Sequence, residues 1–255
     1  MKVRTLLESL IIAFSTYSRI PMPKVEWNDD NMKYSICFFP LIGFAVGGLM
    51  WIWGALSSAL GLGTILRAAV LTLVPVLVTG GIHLDGLLDT ADAQSSCKSR
   101  EERLRIMKDS HTGAFAVIWC FSYFLIYFGV MSEMEVRQPS RMGQLMLVFV
   151  ISRACSAMAL LKFPKAKNTG LLRTFSDKAM NDRGARIMGI VLAAAMAVMT
   201  GLSPKRGLLA SAAGGLGFWL YYKLTKKTYG GITGDLAGCF LCLEELFMCA
   251  ALLAF

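Results

Sequence analysis

Three of the chain's 17 acidic residues stand within eight positions of one another in GGIHLDGLLDTADA (Gly80–Ala93), directly after a long apolar run. On a helix, Asp85, Asp89 and Asp92 fall at i, i+4 and i+7 and share one face, an acidic stripe about two turns long. Bare carboxylates this close repel one another, and a cation relieves the repulsion. A hard divalent cation suits them, because magnesium takes carboxylate oxygens, keeps several waters and bridges to phosphates. The chemistry expected of the stripe is therefore phosphate handling around magnesium ligated by Asp85, Asp89 and Asp92. A solvated acidic helix that merely follows a span is the plainer reading. It is disfavoured because the three carboxylates share a face, lie at a membrane boundary and are too short to reach far into water. Gly80, Gly81 and Gly86 add backbone freedom around them.

A second acidic group lies in GGITGDLAGCFLCLEELF (Gly230–Phe247). Asp235 falls at the start of the last apolar stretch and Glu244 and Glu245 fall inside it, where carboxylates are expensive enough to imply a function or a partner. Arg153, within another apolar stretch, is the expected counter-charge, and a purely structural buried ion pair is the competing reading. Basic groups would supply the other half of a phosphate site. Arg100, Arg103, Arg105 and Lys108 follow the acidic stripe, and Lys165, Lys167 and Arg173 crowd a second polar loop. His83 and His111 are as compatible with local hydrogen bonding as with catalysis.

The elements that must position these groups are membrane helices. The 255 residues are 55% hydrophobic and 17% charged, with a mean hydropathy of +0.56, too apolar for a soluble domain of this length. The expected fold is an all-α, polytopic integral membrane helical bundle forming a single domain over residues 1–255. About seven transmembrane helices are expected, near 36–60, 64–81, 113–131, 143–161, 187–201, 207–222 and 236–255, with 187–201 short for a span of about 20 residues. Twenty of the 26 basic residues fall on one side of this topology and four on the other, with Arg67 and Arg153 inside spans. The excess of positive charge places the N-terminus and the polar loops 82–112 and 162–186 in the cytoplasm. The net charge of +9 follows from topology, so no nucleic-acid partner is implied.

Leu6, Leu7, Leu10, Ile11 and Phe14 recur at helical spacing, which points to an N-terminal amphipathic helix on the membrane surface instead of a cleaved signal peptide. Ser99 with Glu102 three residues on forms a capping box, and Pro164, Gly170 and Gly184 should break any long helix in the second loop. Gly43 and Gly47 share a helix face and are expected to admit a neighbouring backbone. The seven cysteines fit no disulfide framework, and Cys239 and Cys242 are expected to pack within a span.

Several blocks, in order, carry a resemblance from end to end. SRIPMP (Ser18–Pro23), FPLIG (Phe39–Gly43), GGIHLDGLLDTADA, RLRIMKDSHTGAF (Arg103–Phe115) and GGITGD (Gly230–Asp235) together resemble the adenosylcobinamide-GDP ribazoletransferase, or cobalamin (5′-phosphate) synthase, family. The resemblance implies that a hydroxyl of α-ribazole, or of α-ribazole 5′-phosphate, attacks the phosphate attached to cobinamide in adenosylcobinamide-GDP. GMP is displaced, and adenosylcobalamin or its 5′-phosphate is formed. It further implies magnesium (Mg2+) held by Asp85, Asp89 and Asp92, one of which would also accept the acceptor's proton, phosphates held by Arg103, Lys108 and Lys167, and Asp235 as a further acidic contributor. His83, Arg153 and Glu245 are further candidates. The setting implied is the bacterial cytoplasmic (inner) membrane, with membrane lipid around the bundle and an oligomer neither required nor excluded.

Two departures stand out. The second loop reads KAKNTGLL, with Lys167 where the family's Tyr-Ala-Arg-type element has arginine, so bidentate phosphate recognition is lost while charge is kept. Cys242 stands where many members carry a carboxylate, and Glu245 keeps the next acidic position. Two other functions compete. A magnesium-dependent membrane phosphotransferase for lipid alcohols would carry an Asp-Gly-x-x-Ala-Arg element, but Leu87, Leu88 and Asp89 follow Asp85-Gly86 here and the Ala-Arg pair is missing. An ion-coupled transporter would show broken helices repeated in two halves, and no such repeat is visible.

Overall fold

A computed structural model describes residues 3–166, 174–175, 179 and 181–254. The helices are α1 (Val3–Tyr17), α2 (Asp29–Ser35), α3 (Phe39–Ala59), α4 (Thr64–Thr79), α5 (Ile82–Ser95), α6 (Arg100–Ile106), α7 (Ala114–Ser132), α8 (Pro139–Lys162), α9 (Asn181–Leu202), α10 (Pro204–Leu224) and α11 (Gly234–Ala251). No strand occurs among the described residues, so the all-α expectation holds.

Helix α8 is the central element. Most of its residues from Arg141 to Leu161 are buried, and it packs against α3, α9 and α11. Small residues set its closest contact: a Cβ on Gly43 would overlap the Phe149 carbonyl, and one on Gly47 would stand 2.5 Å from the Met146 Cα. The pair expected to admit a neighbouring backbone does so. By contrast, α7 turns Phe115, Val117, Ile118, Phe121, Leu125 and Ile126 outward, the pattern of a helix whose solvent is lipid.

Among the described residues, four helical stretches are long and apolar enough to cross a membrane: Asp29–Ala59, Ala114–Ser132, Pro139–Lys162 and Asp182–Leu202; a fifth is added if α4 and α5 count as one broken span. This corrects the expectation of about seven. With 16 residues, α4 extends only about 24 Å. Helix α10 is diluted by Gly214, Gly215, Gly217 and two tyrosines, and α11 holds Asp235, Glu244 and Glu245. The stretch near 187–201 is longer than expected, because α9 starts at Asn181 and runs through Gly184 instead of breaking there. Gly184 serves packing, since its missing Cβ leaves room for Leu161 at 3.1 Å. Pro164 does lie just beyond the end of α8, and Gly170 falls outside the described residues.

The N-terminal helix forms and buries Ser9, Ile12 and Ala13, while Leu7 stays exposed. The Ser9 hydroxyl donates to the Asn31 carbonyl at 2.6 Å, so a small polar residue, not a leucine, seats α1 on α2. Ser99 caps α6, its hydroxyl oxygen accepting from the Glu102 N–H, but the expected box is not completed, because the Glu102 carboxylate turns to Arg105 at 3.8 Å. A reciprocal capping box that sequence reading missed joins Asn28 and Asn31 at the start of α2.

Candidate functional site

The site begins where α4 gives way to α5. Pro75 lies inside α4, and Gly80 and Gly81 follow it with φ of +67° and +79°, both left-handed. Only glycine takes that conformation without steric cost. The result is a bend of 94° between α4 and α5, so the acidic stripe runs nearly at right angles to α4. Helix α5 then lies against α11 at a crossing lined by glycines. A Cβ on Gly86 would stand 2.5 Å from the Asp235 carbonyl oxygen, and one on Gly238 would stand 2.8 Å from that of His83. This contact brings the Asp235 backbone against α5, uniting acidic groups that are 150 residues apart in sequence.

The three stripe aspartates share a side of α5 but not an environment. Asp85 is exposed and lines an open cavity of about 540 Å³ between the end of α1 and the start of α5, with Ser18, Arg19, Thr79, Gly80 and Leu88. Asp89 is half-buried. Asp92 accepts hydrogen bonds from the Gly113 N–H at 2.6 Å and the Ala116 N–H at 2.9 Å, so it caps α7 from a different helix. Gly113 leaves room for this, because a Cβ there would stand 2.6 Å from Asp92 Oδ1. Among the described residues no three His, Cys, Asp or Glu side chains converge as a metal cage. The donor set is nevertheless of the kind magnesium uses, one or two carboxylates completed by water and phosphate oxygens.

The basic candidates separate. Arg103 Nη1 donates to Gln94 Oε1 at 3.2 Å, and the Tyr229 hydroxyl donates to the same oxygen at 3.0 Å. Burial pushes the Tyr229 hydroxyl above its ordinary pKa, which keeps it a donor. Arg100 lies across Gly230, whose Cβ would overlap the guanidinium. Lys108 is exposed beyond α6, and Lys167 lies outside the described residues. The start of the second loop pairs with Ile232, whose N–H donates to the Pro164 carbonyl at 2.8 Å and whose carbonyl accepts from the Ala166 N–H at 3.0 Å. His111 is exposed and pairs with Asp109, whose carboxyl is held below its ordinary pKa by the His111 N–H and ring.

Beneath α5 lies a buried polar knot. Arg153, 1% exposed, pairs with Glu245 and contacts Ser152, whose hydroxyl donates to Glu245 at 2.9 Å. The sequence offered two acids for this arginine, and Glu245 is the partner. Glu244 is buried with neither carboxyl oxygen hydrogen-bonded among the described residues, the Cys155 thiol being the polar group beside it. His83 is buried with its ring 5.9 Å from that of Phe39. His83, Arg153, Glu245 and Cys242 border one cavity of about 20 Å³, room for about one water molecule. His83 thus brings α5 to this enclosed cavity, whereas Asp85, two residues on, lines the open one. All seven cysteines are unpaired, with Cys242 buried.

Sequence reading missed Arg19, Gln94 and Tyr229. Arg19 stood in the quoted SRIPMP block, but no local pattern ties it to a glycine 61 positions away.

Fold and site together define an all-α polytopic membrane protein with an acidic helix set at a sharp angle to the apolar helix before it. The chain belongs to the cobalamin-5-phosphate synthase family, whose model matches residues 9–253. It is 44% identical over 240 residues to the adenosylcobinamide-GDP ribazoletransferase of Lachnoclostridium phytofermentans, covering 94% of this chain and 91% of that one. A protein of the same name from Clostridium botulinum (strain Alaska E43 / Type E3) is 33% identical over 96% of both chains. Another, from Citrobacter koseri, is 33% identical over 92% of this chain and 95% of its own. No solved structure matches.

Proposed function

We propose that this protein transfers the adenosylcobinamide-phosphate unit of adenosylcobinamide-GDP to α-ribazole or its 5′-phosphate, releasing GMP. The family match over residues 9–253 carries the reading. The acceptor hydroxyl oxygen bonds to the phosphorus that bears cobinamide, and the bond from that phosphorus to the oxygen bridging to GMP breaks. GMP leaves with the bonding pair, and the hydroxyl proton passes to a carboxylate. Asp85 is suited to that role, since it is exposed on the wall of an open cavity.

Magnesium, when bound, would neutralise diphosphate charge and the charge growing on GMP. Asp85 and Asp89 would hold it, and Asp92, although committed to capping α7, keeps a second lone pair on each oxygen. Asp235 borders the same helix. Arg103, Lys108 and Lys167 hold phosphate oxygens of the diphosphate. The residues of this chain act mainly by positioning and electrostatics, which dominate phosphoryl-type transfer. The protein lies in the bacterial cytoplasmic membrane with its N-terminus, α5 and α6 facing the cytoplasm, as the distribution of lysine and arginine supports.

The test is GMP release from adenosylcobinamide-GDP by purified protein in detergent or liposomes, with acceptor and magnesium each present or omitted. Release that requires both, with a cobalamin product, is expected. No release from a folded, lipid-supplied preparation refutes the reading and returns the lipid-alcohol and transport alternatives.

A further inference from the structure

We propose that the cavity between α1 and α5 is the seat of the nucleoside acceptor, and that Arg19 binds the acceptor's phosphate. This rests on the transfer reaction above and assigns one of its two substrates to a place in the fold.

The hydrogen-bonding character of the walls sets the ligand class. Four hydroxyls line the cavity, and each spends its proton on a main-chain carbonyl. Ser15 and Thr16 donate to Ile12 at 3.1 and 2.7 Å, Ser18 to Phe14 at 2.7 Å, and Thr79 to Pro75 at 2.7 Å. Each hydroxyl oxygen therefore keeps acceptor capacity, that of Ser18 being shared with the Ile20 N–H at 3.4 Å, and with the Asp85 carboxylate they suit a ligand that brings hydroxyl donors. Arg19 is the opposite kind of group, a permanent cation with five donors and no acceptor.

Arg19 is also held in place. Its main-chain N–H donates to the Val78 carbonyl at 2.7 Å, which ties it to the last turn of α4. Its side chain runs across Gly80, where a Cβ would overlap Nε, so the left-handed glycine that makes the bend also seats the arginine. Among the described residues, no ion pair involves Arg19 or Asp85. A cation and a carboxylate thus line one cavity without neutralising each other.

A ligand that answers both walls carries hydroxyl donors at one end and an anion at the other, which describes a ribonucleoside phosphate. Size agrees. About 540 Å³ is the volume of a site for a ligand of ordinary drug size, and a corrinoid is far larger. The acceptor fits inside the cavity, and the corrinoid substrate must approach from outside it. With the phosphate on Arg19, the ribose faces Asp85, the carboxylate assigned the acceptor's proton.

The experiment compares α-ribazole 5′-phosphate with α-ribazole, binding each to full-length protein in detergent by equilibrium dialysis without adenosylcobinamide-GDP. Arg19→Gln is expected to weaken the phosphate ester by about 10- to 100-fold, the worth of a charge-assisted hydrogen bond, and the free nucleoside by less than about threefold. Arg19→Lys, which keeps the charge and loses the fork, should recover part of the loss and serves if the glutamine variant fails to fold. Equal weakening of both ligands, or no weakening of either, overturns the subsite. GMP release measured in parallel separates the two ideas. Wild-type protein that binds the ester through Arg19 but releases no GMP refutes the transferase, not the subsite. Active protein whose variants keep the wild-type preference between the two acceptors refutes the subsite alone.

Discussion

Gly86→Ala tests whether the crossing of α5 and α11 sets the reacting geometry. At an open helix position, alanine in place of glycine is worth about 0.5–1 kcal/mol of added stability. Gly86 is not open. Its new Cβ would stand 2.5 Å from the Asp235 carbonyl oxygen and 3.0 Å from the Asp235 Cα, against 3.4 Å for an ordinary contact, so the two segments must part by about 0.9 Å. Both clashing groups belong to the backbone, so no rotamer change relieves them. A shift of about 1 Å at reacting groups costs on the order of 100-fold in rate, while overpacking costs about 1–3 kcal/mol in stability. The assay is kcat for GMP release alongside thermal unfolding in detergent. Gly215→Ala on α10, where a Cβ meets nothing within 4 Å, is the control and should keep full activity. Wild-type turnover in Gly86→Ala, or equal damage in Gly215→Ala, would refute the reasoning.

Glu245→Ala leaves Arg153 charged and buried, and should destabilise by about 3–5 kcal/mol in thermal or denaturant unfolding; replacing both residues by methionine should recover most of that loss. Asp92→Ala removes the cap on α7 and should lower stability by about 0.5–2 kcal/mol, with Asp92→Asn milder because it keeps one acceptor oxygen. Asp85→Ala, whose side chain is exposed, should leave the melting temperature near wild type while cutting GMP release at least about 100-fold; near-normal turnover would remove Asp85 from the chemistry. Chelation by EDTA should stop GMP release and added magnesium should restore it, and release that persists in EDTA would remove magnesium from the proposed reaction.

Much of the helix order was legible because apolar runs and turn residues are local signals. The close contact at Gly43 and Gly47 could be read from spacing alone, since two glycines four apart leave one face bare. The length of α9 could not. Gly184 looked like a breaker, and only the neighbouring Leu161 shows it to be a packing notch. The acidic stripe was legible as a face, yet its residues proved unequal: Asp85 meets a cavity, and Asp92 meets the start of another helix 21 residues on. Helical spacing tells which side chains point the same way, not what stands opposite them.

The amino-acid sequence by itself determined the class of protein, the family and the acidic helix, because composition, periodicity and ordered motifs do not depend on distant contacts. Tertiary structure alone decided which of two acids neutralises Arg153, that Asp235 joins α5 through Gly86, and that Arg19 shares a cavity with Asp85. Each is a pairing between segments far apart in the chain. The choice rests on which backbones can approach and which direction a bend turns them, and here two left-handed glycines and a few missing Cβ atoms made it.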